Sequence, residues 1–113
     1  MMIEFEVIFV SDDVLVDYDG MNYFAAKALK FTNYPIKIHQ ILINIDTLGK
    51  KEIIPTIIHE CVEAYHMHHG LNYWQAHQIA AEAEKDKEKL AIVTKFINPL
   101  FPKESGYFTV DER

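Results

Sequence analysis

Ile53-Ile54-Pro55-Thr56-Ile57-Ile58-His59-Glu60-Cys61-Val62-Glu63-Ala64-Tyr65-His66-Met67-His68-His69-Gly70 is the stretch from which the fold class is read. On a wheel advancing ~100° per residue with His59 at zero, Ile54, Ile58, Cys61, Val62 and Tyr65 fill one arc from ~200° to ~300°. This is a helix with one apolar stripe. Pro55 is tolerated only in a first turn, so the helix should begin near Lys51 and continue to about His69. Gly70 stands where a helix-ending glycine belongs. Asn72, with Gln75 three residues on, is a capping pair that opens a second helix from Tyr73 towards Asn98. Pro99 and Pro102 stop it, and the alternating charges from Glu82 to Lys89 read as its solvated face.

Upstream the period changes from 3.6 to 2. Ile3, Phe5, Val7 and Phe9 share one face of a strand over Ile3 to Val10, with Glu4, Glu6, Ile8 and Val10 on the other. Asp19-Gly20 reads as a turn or helix start, followed by helical spacing of Met21, Phe24, Ala25, Ala28 and Leu29. Asn33-Tyr34-Pro35 ends that helix. Ile36 to Ile45 is rich in β-branched residues and predicts a second strand. Its alternation shifts phase between Ile38 and Ile41, which permits a bulge. A two-stranded ribbon is marginal, so Asp13 to Tyr18 or the tail should add a third strand. The expectation is an α+β domain: a small two- to three-stranded sheet packed against two or three helices.

A chain of 113 residues, half of them hydrophobic, reads as one domain over residues 1–113, with 99–113 an ordered arm or edge strand. The net charge is −6 and the eleven basic residues are dispersed, which argues against nucleic-acid binding. The single cysteine, Cys61, excludes an internal disulfide and falls on the apolar face as a small hydrophobe. No apolar run approaches the ~18–20 residues of a membrane span, and the N-terminal residues lack the basic start of a signal peptide. The expected location is cytoplasmic, without membrane association.

Five of the six histidines lie between positions 59 and 77. On the wheel Glu63 falls at ~40°, His66 at ~340° and Glu60 at ~100°, so His59, Glu63 and His66 lie beside the apolar stripe on one side. Imidazole nitrogen and carboxylate oxygen are zinc donors, and a catalytic zinc keeps three protein ligands and a water. His59 and Glu63 are the helix ligands in this reading. Glu60, offset by a quarter turn, is the general base for a water activated by the metal. The third ligand should come from outside the helix. After the Gly70-Leu71-Asn72 connection the two helices should form a hairpin that brings His77 opposite, with Glu84 level with His59. His66 or Glu84 would support the ligands. Imidazole and carboxylate suit several divalent metals, so zinc is the first choice among others. Trp74, Tyr65 and Tyr73 read as packing between the helices, His39 as a strand surface residue, and Asp12, Asp13, Asp17 and Asp19 as turn residues.

The run from Thr56 to Glu84 resembles a group of small zincin-like metallopeptidases: His-Glu-x-x-Glu, a glycine, then an aromatic and an Ala-His pair in the following helix. His59, Glu60, Glu63, Gly70, Tyr73, Ala76 and His77 carry the match. Ile41-Leu42-Ile43-Asn44 stands where zincins place the strand lining their cleft. The resemblance implies a bound divalent metal and a small metal-dependent hydrolase acting on a peptide or small molecule. The chain departs from His-Glu-x-x-His in carrying Glu63. Two alternatives stay open. One is a non-catalytic interaction protein whose two-helix face supports homodimerisation, with or without a structural metal closed by Glu84 or His66. The other is a dinuclear carboxylate site, since Glu63-x-x-His66 has the Glu-x-x-His step of such proteins.

Overall fold

The computed structural model describes residues 2–86 and 105–111. The chain runs β1 (Met2–Val10), α1 (Asp12–Leu15), β2 (Gly20–Asn22), α2 (Tyr23–Leu29), β3 (Gln40–Asn44), α3 (Lys50–His68), α4 (Tyr73–Ala83) and β4 (Ser105–Asp111). It is the α+β arrangement expected, with a mixed four-stranded sheet in the order β2-β3-β1-β4, one strand more than anticipated. β1 lies parallel to β3, pairing Val7 with Ile41 and Phe9 with Ile43. β4 joins β1 antiparallel, and β2 joins β3 antiparallel.

The period-2 pattern of β1 gives the sheet two buried faces. Phe5, Val7, Ile41 and Ile43 pack on Ile53, Ile57, Ile58, Cys61 and Val62 of α3, with Ala80 of α4 in the same cluster. On the opposite face Leu42 packs with Met21, Leu15, Ala25 and Ala26, and Ile8 and Val10 lie against them. Within the first cluster, under α3, Cys61 is fully buried as a small hydrophobe. Burial, followed by the charge of Glu60, pushes its thiol well up, so it stays protonated. Among the described residues no helix is long and apolar enough to cross a membrane.

Several expectations change. The stretch from Ile36 to His39 is not strand. Lys37 N donates to Gln40 Oε1 at 2.9 Å and Gln40 N to Lys37 O at 2.9 Å, closing a turn that leaves Ile38 exposed. The phase shift before Ile41 marks the start of β3, and there is no bulge. Asp13 to Tyr18 adds no strand either, because Ser11 starts the short helix α1 and Asp12 Oδ1 accepts from Asp17 N at 2.8 Å. α3 begins one residue before Lys51, which places Pro55 beyond the first turn. α4 stops at Ala83, well short of Asn98, as Lys85 N and Asp86 N bond to Glu82 O and Ala83 O. Residues 87–98, and the proline stops at Pro99 and Pro102, lie outside the described residues.

Both helix-end expectations around the connection hold. Leu71 N donates to His66 O and Gly70 N to Met67 O, each at 3.1 Å, with Gly70 at φ +101°. This is the paired bonding that ends a helix on a left-handed glycine. Asn72 and Gln75 cap each other's backbone reciprocally.

Val16 carries a local conflict. It is β-branched, 56% exposed, and held at φ 49° to end α1. Left-handed backbone costs an L-residue roughly 1–2 kcal/mol, and asparagine tolerates it far better. Val16→Asn is therefore expected to stabilise the fold by about 1 kcal/mol, read as a thermal midpoint raised by roughly 4–8 °C.

Candidate metal centre

α3 and α4 form an antiparallel hairpin whose closeness is set by alanines. Ala64 on α3 and Ala76 and Ala80 on α4 are all buried. Small side chains let the two backbones approach, so a histidine beside them can reach across. His77 does so. Its Nδ1 lies 2.8 Å from Glu63 Oε2 and 3.1 Å from His59 Nε2, and His59 Nε2 lies 3.2 Å from Glu63 Oε2. His59, Glu63 and His77 are the only group of this kind among the described residues that could hold a metal ion.

The donor set fits such an ion. Bonds of ~2.0–2.1 Å separate adjacent donors by roughly 3.3 Å in a tetrahedron and roughly 3.0 Å in an octahedron. The observed triangle, 2.8–3.2 Å on a side, lies near both values. Two imidazole nitrogens and a carboxylate oxygen this close repel one another unless a proton or a cation sits between them.

Neighbouring groups orient the ligands. Glu63 is 2% exposed, and its second oxygen, Oε1, accepts from Asn22 Nδ2 at 3.0 Å. The far nitrogen of His59, Nδ1, faces Glu84 Oε1 at 3.8 Å, so Glu84 stands beside His59 at the level expected. Tyr73 lays its ring against that of His77, with centroids 5.4 Å apart and planes 31° from parallel. Burial, then the charges of Glu63 and Glu60, raises the Tyr73 phenol, which stays neutral.

His66 does not join the group. Seven residues from His59 is an axial rise of roughly 10.5 Å on a helix, too far to share an ion. Its ring instead sits edge-on to Tyr65, 5.1 Å between centroids. Trp74, expected between the helices, is 72% exposed, because two residues before the buried Ala76 is roughly 160° round the helix, on the side away from α3. Tyr65 is buried as expected. His39 lies in the turn before β3, exposed, with its ring edge-on to Phe5.

Glu60 is buried beside the three donors at 7% exposure. Its Oε1 also accepts from Asn22 Nδ2, at 3.0 Å. Burial first, then the charge of Glu63, pushes its carboxyl up to about 8. His59 is pulled two ways. Burial lowers it, but the hydrogen bond it donates to Glu63 and the charges of Glu60, Glu63 and Glu84 together leave it raised.

The strand beside the site is β2, which displaces the expectation that Ile41 to Asn44 lines the cleft. β2 pairs on the outer side of β3 and so covers it. The alternation of a strand turns Gly20 and Asn22 towards α3 and Met21 away. A Cβ on Gly20 would stand 2.8 Å from Glu60 Cγ and 3.2 Å from Leu42 O, so only glycine leaves Glu60 its place. Sequence reading missed both Gly20 and Asn22. The available signal was Asn22 three residues before Ala25, a helix cap that also fixes where β2 must end.

Between β2, α2 and the hairpin lies a cleft of about 360 Å³. Asp19, Glu60, Glu63 and Glu84 line it, together with His59 and His77, and among the described residues no lysine or arginine does. A concave surface lined by one sign of charge concentrates cations. Against models of known protein families, against curated proteins and against solved structures, the chain finds no match.

Proposed function

We propose that the protein is a small metal-dependent hydrolase of zincin-like type, with a divalent metal, zinc first, held by His59, Glu63 and His77. The observation that carries this reading is the convergence of three donors within 3.2 Å in a cleft that also holds a second buried carboxyl, Glu60. A divalent ion at such a site supplies Lewis acidity to a water and to a carbonyl oxygen.

The remaining roles belong to the chain. Glu60 takes a proton from the attacking water and returns it to the leaving group, which requires it to ionise. A cation nearby lowers its pKa from the raised value of the metal-free protein. Glu84 steadies the imidazole of His59. β2 closes the sheet on the cleft side, and an outer strand is a surface on which an extended peptide can pair; a peptide is thus the favoured substrate class.

A purely structural metal needs a fourth protein donor. Among the described residues neither Glu84 nor His66 joins the three, which supports the catalytic reading over a closed structural site. The dinuclear alternative needed His66 as a ligand and loses support for the same reason.

Metal analysis of protein prepared without a histidine tag tests the reading. One equivalent of metal is expected in the wild type, and none in His59→Ala or His77→Ala. Equal metal content in all three would sink it.

A further inference from the structure

We infer that Asn22 is a positioning residue of the metal centre: it fixes which oxygen Glu63 and Glu60 each present. The inference rests on the metal reading above, but the observations behind it concern the chain alone. Asn22 is fully buried, and its side chain uses both ends. Oδ1 accepts from Ala25 N at 2.9 Å, capping α2. A backbone N–H can only donate, so the oxygen must face it and the amide cannot flip. The NH2 group is thereby turned into the site, 3.0 Å from Glu60 Oε1, 3.0 Å from Glu63 Oε1 and 3.5 Å from Glu60 O.

An amide has two hydrogens, and two buried carboxyls on adjacent turns of α3 each take one. Glu60 and Glu63 repel when both are ionised. A lysine or arginine at this place would relieve that repulsion but would compete with a metal for the same charge. A neutral double donor relieves it without competing. It occupies one oxygen of each carboxyl and leaves the other, Oε2 of Glu63 towards His59 and His77, free to bind. The amide is anchored at a helix terminus on the strand that walls the cleft, so β2, α2 and the two carboxyls are held as one unit.

The bland role for Asn22 is capping α2 alone, and serine separates the two roles. Serine caps a helix as well as asparagine does but is too short to reach either carboxyl. Asn22→Ser is therefore expected to keep the far-UV circular dichroism of the wild type and to bind Zn²⁺ roughly 10- to 100-fold more weakly in chelator competition. Asn22→Asp keeps both cap and size and removes both donors. Its Co²⁺ complex is expected to differ from the wild type in the visible spectrum, which reports the number and geometry of ligands. If Asn22→Ser does not fold, the Asn22→Asp spectrum decides. Wild-type Zn²⁺ affinity in the serine variant and a wild-type Co²⁺ spectrum in the aspartate variant would overturn the inference and leave the metal site standing. A wild-type protein that binds no metal would instead overturn the metal reading, and this inference with it.

Discussion

Replacing Glu60 by glutamine is expected to leave one equivalent of metal in place and to lower peptide hydrolysis by roughly 10²- to 10⁴-fold, the usual contribution of a positioned general acid or base. The two halves of this result separate because Glu60 is not among the three converging donors. Glutamine keeps its volume under Gly20, where a Cβ would already be too close, and its amide oxygen can still accept from Asn22. What it loses is the ability to carry a proton back and forth. Metal content by mass spectrometry and cleavage of an unfolded polypeptide substrate read the two halves independently. Wild-type cleavage with wild-type metal content would remove Glu60 from the chemistry. Loss of metal would make it a ligand.

The parts of this centre that were legible in the sequence are those set by local geometry. His59 and Glu63 are four residues apart on a helix whose apolar stripe is unmistakable, and Gly70 and Asn72 mark the break and restart that fold α4 back. From these, His77 and Glu84 could be placed opposite. The half that was illegible is contributed by β2. Three residues are too few to show a period, and Gly20-Met21-Asn22 is held as a strand by pairing with Ile43, Leu42 and Ile41 some twenty residues away. The same long-range pairing explains the error at Ile36 to Ile38: their composition favours a strand, but the register with β1 begins only at Gln40 opposite Glu6, where Gln40 Nε2 also donates to Glu6 Oε1 at 2.8 Å. The wheel sets His66 beside His59 and Glu63 because it shows angle and hides axial distance.

In the metal-free protein, stability is expected to fall as pH rises from about 4.5 to about 8, against the common pattern in which burying ionised carboxylates favours neutral pH. Glu60 has an ordinary value of 4.5 and is pushed to about 8 in the fold, by burial and then by Glu63. Between these values the folded state holds a proton that the unfolded state has released, so the slope of unfolding free energy with pH is negative, roughly −1 kcal/mol per pH unit over that window. His59 has the same sign. Its pKa is raised from 6.5, so its contribution is present below that value and is lost as pH climbs through the folded one. Denaturant titrations in chelator at pH 5, 6, 7 and 8 should show the decline, and Glu60→Gln should flatten most of it. A metal opposes the trend. It binds deprotonated imidazole and carboxylate, so its affinity grows with pH, and saturating it at 100 times Kd adds about 2.7 kcal/mol. The two stability curves should therefore spread apart from acid to pH 8, where the metal-free centre is weakest and the metal holds best. A metal-free curve that is flat or rising would mean that Glu60 is ionised without a cation beside it. In that case Asn22 alone would be enough to hold two buried charges on neighbouring turns, and the cluster would need no ion to account for it.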